Sequence, residues 1–238
     1  KGEPMLYTGG TTNEFNSQGD TRMRNTKLAS LPTIKRLPSY LHVIEHAHKE
    51  GKQYISGTVI ADELELEPIQ VRKDLAVTGI VGKPRIGFPV EDLIDAIHGF
   101  LHWNKDHNAI LLGAGNLGTA LMGYVEFGRR GMNIVAAFDA DKEKIGRTIN
   151  GTVVYSLNQM QTKVEQLLVD LAILTVPSAQ AQAVADLLVK SGIKAIWNFT
   201  NVKLKVPEDV IVQKEDLSSG YAVLSVKMRV RNAAAETE

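Results

Sequence analysis

The chain has no cysteine. That absence excludes disulfides, thiol nucleophiles, cysteine-ligated zinc and iron–sulfur clusters. Net charge is missing too: Lys and Arg total 27, and so do Asp and Glu. No overall field draws in nucleic acid, so any such binding has to come from a local patch. No apolar run approaches the ~20 residues that span a bilayer, and the polar, glycine-rich beginning lacks the pattern of a signal peptide. A soluble cytoplasmic protein without membrane contact is expected. What the chain does have is apolar residues, 44% of 238, enough for two modest domains or one large one.

Residues 110–118 read I-L-L-G-A-G-N-L-G, an apolar run leading straight into G-x-G-x-x-G. A second apolar run, 134–138, ends at Asp139, about 20 residues beyond Gly118, and this order of parts is the dinucleotide-binding fingerprint. Gly113 permits the tight turn off the strand. Gly115 lets backbone approach a pyrophosphate, and Gly118 lets the next helix pack close to the strand. Ala114, Asn116 and Leu117 complete a loop whose N–H groups, with the positive end of the helix, hold phosphates. Asp139 accepts hydrogen bonds from an adenosine ribose. A 2′-phosphate would meet its carboxylate, so NAD(H) is favoured over NADP(H). Asp141 is expected to cap the following turn, and Lys144 stands on the adenosine side, with a solvated lysine as the alternative. Thr175, Val176 and Pro177 end one strand, where ligands of open parallel sheets gather. Asn198 and Phe199 end the next and border the nicotinamide. A glycine-rich turn with no ligand is the competing reading.

Residues 1–30 are polar and rich in Gly, Thr and Asn, which suits a tail. Met23 is a candidate internal start within it, and Arg22, Arg24 and Lys27 are candidate DNA contacts. From 32 to 105 the pattern is helical. Leu37, Leu41, Ile44 and His48 share a face of a first helix that Gly51 can stop. Ser56 caps a second with Val59, Ile60 and Leu64. Pro68 opens a third, with Ile69, Val71, Leu75 and Ala76 inward and Gln70, Arg72 and Lys73 on other faces. Residues 79–87 fit a small β-hairpin, and Pro89 introduces a fourth helix with Leu93, Ile94, Ile97 and Leu101 inward. Helix–helix–helix–hairpin is the winged-helix order. Strands are then expected near 109–113, 133–138, 153–155, 170–176, 194–197 and 210–213, and helices near 116–128, 158–168 and 178–190. Such alternation argues for a parallel sheet covered on both faces. A last helix over 216–232 carries Leu217, Tyr221, Leu224 and Met228 on one stripe, which needs a surface on a partner subunit or on its own domain. The expected fold class is α/β: a polar tail (1–30), an N-terminal winged-helix DNA-binding domain (31–104), a Rossmann-like parallel-sheet domain (105–215) and a C-terminal helix and tail (216–238).

On the third helix, Arg72 suits guanine, Gln70 suits adenine and Lys73 suits phosphate. Lys83 and Arg85 on the wing suit phosphates or a narrow minor groove, and Lys35 and Arg36 at the start of the first helix suit phosphates. Each alone could equally be a solvated charge. Two such helices in a dimer stand about one helical turn apart and predict a palindromic double-stranded operator. No catalytic constellation is visible. His42, His46, His48, His98, His102 and His107 all precede the fingerprint, and no tyrosine is followed by lysine four residues on. Sensing is therefore favoured over turnover, and no metal site is expected.

Several stretches resemble the Rex family of bacterial redox-sensing transcriptional repressors, from about residue 31 to 225. They are Q-V-R-K-D-L at 70–75, the glycine fingerprint with A-A-F-D at 136–139, L-T-V-P at 174–177 and N-F at 198–199; G-I-K at 192–194 and K-V-P at 205–207 also fit. The resemblance implies a winged helix, an NAD(H)-binding Rossmann domain and a last helix exchanged between subunits of a homodimer. It implies DNA binding that tolerates NAD+ and is released by NADH, at genes of anaerobic or fermentative metabolism. Three positions match places in the family's switch: His42 (commonly arginine), Phe88 (commonly a tyrosine that bonds an aspartate) and Asp216 (that aspartate). Ala76, Val77, Leu217, Thr200 and Asn201 also depart from the family's pattern. The departures leave open an altered nucleotide preference, or a DNA-binding protein that no longer answers to nucleotide. The glycine-rich domain also looks like the CoA-binding domain of acyl-CoA ligases, so an NAD(H)- or CoA-dependent enzyme with an appended helical domain is the alternative.

Overall fold

The computed structural model describes residues 29–235, with side chains through Asn232. Most of the polar tail, including Met23, Arg22, Arg24 and Lys27, lies outside the described residues. The chain divides into two compact units, one running to Ile97 and the other starting at His98.

The first unit opens with α1 (Leu31–Lys49), whose N-terminus is capped by the Ser30 hydroxyl accepting from the Thr33 N–H. Its buried face is Leu37, Tyr40, Leu41, Ile44 and Ala47; His48 is exposed, one position out of phase with the expected face. A short strand β1 (Tyr54–Ile55) leads to α2 (Gly57–Glu63), capped by Ser56 as the sequence suggests. Ile60 is buried there, whereas Val59 is turned out. In α3 (Pro68–Ala76) the buried residues are Val71, Asp74 and Leu75, and Ile69 and Ala76, expected inside, lie exposed. The expected hairpin over 79–87 is instead a turn closed by one bridge between Lys83 and Gly87. The following strand β2 (Phe88–Pro89) pairs antiparallel with β1. Gly87 has φ +109°, and a side chain there would collide with the Ile55 carbonyl, so the close approach of the two segments requires glycine. The amphipathic α4 (Val90–Leu101) then buries Val90, Leu93 and Ile97.

The second unit is built on β3 (His107–Leu112), β4 (Met132–Asp139), β5 (Thr148–Ile149), β6 (Thr152–Ser156), β7 (Leu171–Leu174), β8 (Ala195–Asn198) and β9 (Ile211–Lys214). They form one sheet in the order β5-β6-β4-β3-β7-β8-β9, parallel except for the β5–β6 pair. Between β3 and β4 lie α5 (Asn116–Met122) and α6 (Glu126–Arg129); α7 (Met160–Gln166) precedes β7 and α8 (Ala181–Lys190) precedes β8. The single helix expected over 116–128 breaks at Gly123, where an added Cβ would stand 2.8 Å from the Asn150 amide nitrogen that donates to the Thr119 carbonyl. Alternate residues of the central strands feed two cores. Ile110, Leu112, Phe138 and Leu174 join Met160, Val164, Val184 and Leu188, while Leu111, Ala137 and Ile173 join Met122. After β6 the chain returns to the other side of β3, so strand order reverses between β3 and β7. That crevice is where open α/β sheets hold ligands.

Asp216 closes the sheet-bearing segment: its carboxylate accepts from the N–H and hydroxyl of Ser218 and so caps α9 (Ser218–Ala235). Every described side chain of α9 except Ser225 is exposed.

Candidate functional site

At the crevice, β3 runs into Gly113 at φ +97°, and an added Cβ there would stand 3.0 Å from the Thr175 backbone. A Cβ at Gly118 would collide with the Gly113 carbonyl oxygen. One at Gly115 would project into open space. Two glycines are thus demanded by packing within the fold and the middle one by nothing in it. A backbone left bare toward a cleft is the arrangement a pyrophosphate needs. The opening N–H groups of α5 have no carbonyl behind them in the helix. Ala114 is buried, and its N–H donates to Asp139 Oδ2 at 2.8 Å, tying the glycine loop to the end of β4.

Asp139 also accepts from the Asp141 N–H at 2.9 Å and pairs with Lys144 Nζ at 3.3 Å. A carboxylate offers about four acceptor sites, so capacity for a ribose hydroxyl remains. Asp141 accepts from the Glu143 N–H and caps the turn as expected. The cleft above these groups holds about 540 Å³ and is lined by Gly113, Gly115, Asp139, Lys144, Thr175, Val176 and Pro177 from the sequence reading. Phe138, Ala140, Leu157, Gln180 and Val184 line it as well. Sequence reasoning missed Leu157 and Gln180, although each follows a strand end on the rim where the open-sheet rule points. The cleft offers apolar walls, bare backbone, the carboxylates of Asp139 and Asp141 and the Lys144 ammonium, which fits an adenine dinucleotide.

Other assigned residues serve the scaffold. The Thr175 hydroxyl lies 2.9 Å from the carbonyls of both Leu112 and Gly113, pinning β7 to β3. Asn198 is buried; its NH₂ donates to the Val202 carbonyl and its oxygen accepts from the N–H and hydroxyl of Thr200. Phe199 lies beside Trp197, ring centroids 5.0 Å apart, in a row continued by Phe127 and Tyr124. Neither Asn198 nor Phe199 lines the cleft described above.

In the first unit, Asp74 organises α3 and α1. Its carboxylate accepts from Thr33 Oγ1, from Arg36 Nε and Nη2, from Tyr40 Oη and from Gln70 Nε2, at 2.7–3.0 Å. Burial pushes its pKa up, but the donors, Arg36 foremost, outweigh it and hold Asp74 down to about 2. Burial, then the bond to Asp74, lifts Tyr40 to about 12. Arg36 and Gln70, read from sequence as DNA contacts, are therefore engaged inside the protein. Arg72 and Lys73 are exposed on α3, and Lys35 is exposed on α1. A groove of about 580 Å³ runs between the start of α2, Arg72, Ala76 and the wing, with Lys83 and Arg85 on its rim. Lys83 Nζ donates to the Tyr54 hydroxyl at 2.8 Å, which raises its pKa.

Of the three switch positions, His42 is exposed with Nδ1 4.0 Å from Glu45 Oε2. Phe88 is buried in the wing, its ring against Gly82. Asp216 caps α9, and the Ser218 hydroxyl and N–H hold its pKa below the usual carboxylate range. Among the described residues no cluster of three or more metal-binding side chains occurs, and no helix is long and apolar enough to cross a membrane.

Comparison with known proteins matches both units. Residues 29–76 match the family described as "Putative DNA-binding protein N-terminus", and residues 104–202 match the family described as "CoA binding domain". The chain is 57% identical to the redox-sensing transcriptional repressor Rex of Treponema denticola over 209 residues, covering 88% of this chain and all of the relative. It is 38% identical to the Rex of Bacteroides fragilis over 193 residues, 81% of this chain and 88% of that one. The crystal structure of RSP in complex with β-NADH superposes with a TM-score of 0.79 at 32% identity, covering 89% of this chain and 99% of RSP. RSP in complex with β-NAD+ and operator DNA gives 0.77 at 33% identity, covering 87% and 96%. These relatives are named as repressors, not enzymes, which answers the CoA-enzyme alternative. Because the resemblance extends through helix cluster, wing, glycine loop and sheet alike, the chain belongs to the Rex family of redox-sensing transcriptional repressors.

Proposed function

We propose that this chain, as a homodimer, grips a palindromic operator through α3 and the wing, keeps hold while NAD+ occupies the cleft at β3 and β7, and lets go when NADH does. The observation that carries the reading is a dinucleotide cleft and a DNA-reading helix on one chain. The bound nucleotide supplies a nicotinamide whose charge differs between its two redox forms; the chain supplies the means of feeling it. Residues 31–104 read DNA, 105–215 hold nucleotide and 216–238 exchange between subunits in the cytoplasm.

The backbone of Gly115, Asn116, Leu117 and Gly118 holds the pyrophosphate, while Gly113 and Ala114, whose N–H groups bond to Phe138 and Asp139, shape the loop. Asp139 holds the adenosine ribose with Lys144 beside it, and Thr175, Val176 and Pro177 form the wall. Asn198 and Phe199 act indirectly, by fixing the loop beyond β8. On DNA, Arg72 reads guanine; Lys73, Lys35, Lys83 and Arg85 hold phosphates; Arg36 and Gln70 hold α3 in place through Asp74. In the switch, Phe88 keeps the wing packed and Asp216 sets the start of α9. His42 replaces the family's arginine with a side chain that is charged only when protonated. The assignments draw support from RSP, solved with NADH and with NAD+ and operator DNA.

The test is fluorescence anisotropy on a duplex recovered by in vitro selection with the full chain. NADH should weaken binding at least about 5-fold, the low end of common allosteric couplings, while NAD+ leaves it unchanged. A response to neither nucleotide overturns redox sensing by this chain.

A further inference from the structure

The outward stripe of α3 consists of Ile69, Arg72, Lys73 and Ala76, at helical spacings of three, four and seven. Ile69 is 61% exposed. It adds nothing to the core, which α3 meets through Val71 and Leu75. As a β-branched residue it is also a poorer helix former than alanine. An isoleucine there has no use in the fold.

The reader expected for A·T pairs is Gln70, since an amide bonds adenine N6 and N7 together. One N–H of its NH₂ donates to Asp74 at 2.9 Å, which turns the amide toward α1. Arg72 is held differently: its Nε donates to the Pro68 carbonyl one turn back, at 3.1 Å. That bond uses only the Nε–H and leaves both terminal NH₂ groups for a fork onto guanine O6 and N7. Gly57 makes room for it, because a Cβ at that position would stand 3.1 Å from Arg72 Cγ. The stripe therefore presents a pre-oriented guanine reader between two apolar groups, with the amide reader withdrawn. What remains by which an A·T pair can be recognised in the major groove is the thymine C5-methyl, and apolar side chains are what contact it.

We propose that Ile69 and Ala76 are the A·T readers of this protein, each packing on a thymine C5-methyl on either side of the guanine taken by Arg72. The inference rests on α3 being the element that enters the groove. Seven helical residues span about 10 Å, or about three base steps of 3.4 Å, which sets the separation of the two thymines.

The experiment uses the full chain and the duplex it selects from a random pool, with each thymine replaced in turn by deoxyuridine, which lacks only the methyl. Wild-type protein should lose about 3- to 10-fold in affinity at one or two thymines per half-site, the size expected for one buried methyl group. Ile69→Ala should bind the unmodified duplex that much more weakly and show no thymine-over-uracil preference at one of those positions. Alanine favours the helix, so the variant keeps its fold. Wild-type binding indifferent to every substitution, or a preference that survives intact in Ile69→Ala, overturns the inference while leaving the DNA reading standing. A chain that selects no duplex overturns both.

Discussion

Two aspartates illustrate how much a single carboxylate does here. Asp74 gathers donors from Thr33, Arg36, Tyr40 and Gln70, and through them fixes α3 against α1. Its pKa of about 2 lies below its ordinary 3.8. A group held lower in the folded than in the unfolded chain stabilises the fold above its unfolded value and stops doing so as pH falls through the folded one. Stability contributed by Asp74 is thus complete above about pH 4 and lost by about pH 2. Asp74→Asn should lower stability at neutral pH by about 2–4 kcal/mol, somewhat under the loss for a fully buried pair because Arg36 is partly solvated. Urea unfolding followed across pH checks both points: the variant should lose less than the wild type between pH 4 and 2. Asp139 is the other case. Asp139→Ala removes the ribose acceptor and should weaken NADH binding about 10- to 100-fold, the worth of a charged hydrogen bond, by calorimetric titration. Unchanged NADH affinity would remove Asp139 from the ribose.

Among the elements, α9 is the least explained by its own chain. Tyr221, Leu224 and Met228 lie on one stripe and Val223, Val226 and Val230 on another, all more than half exposed. Burying each such side chain is worth about 1.5–3 kcal/mol, so a helix apolar on two faces calls for cover on both, as an element laid into a second subunit would have. Leu224→Lys with Met228→Lys should therefore convert the proposed dimer into a chain of single mass in light scattering, with nucleotide binding lost or weakened and the sheet still folded by circular dichroism. A variant that stays dimeric places the interface elsewhere. The elements of the sheet unit were legible in the sequence, because the glycine order, the continuous apolar strands and their alternation with helices leave few alternatives. Phase was harder. In α3, Ile69 and Ala76 look like core by hydropathy and Asp74 and Gln70 like surface, yet a one-position rotation sends the aspartate inward, since Thr33, Arg36 and Tyr40 on α1 offer it donors that no local pattern reveals. For the same reason Asn198 and Thr175, placed at strand ends as expected, turn their polar atoms onto carbonyls and N–H groups of neighbouring segments. Spacing locates a residue on an element; the partner that claims its side chain comes from a segment up to 63 residues away.

At the scale of the molecule, equal numbers of acidic and basic residues mean that DNA affinity comes from a few placed cations. If Lys35, Lys73, Lys83 and Arg85 each neutralise one phosphate, a dimer releases counterions from about eight, and log affinity should fall with log salt at a slope of about −7. A slope near zero would mean these cations do not meet the backbone. The same chain must also obey linkage. Each ligand shifts the conformational balance only by its difference in affinity between the DNA-gripping and DNA-releasing forms. If NADH lowers operator affinity by some factor, operator must lower NADH affinity by that factor, whatever path joins the two units. Titrating NADH with and without a saturating selected duplex should return the number found in the reverse experiment, and NAD+ should give a factor near one from both sides. Operator release by NADH with no matching loss of NADH affinity on DNA would mean that NADH acts at a place other than the cleft, or that a third ligand carries the signal. That result would separate the two halves of this repressor's function, which the glycine loop and the reading helix, each sound in its own geometry, join only through a shared conformational equilibrium.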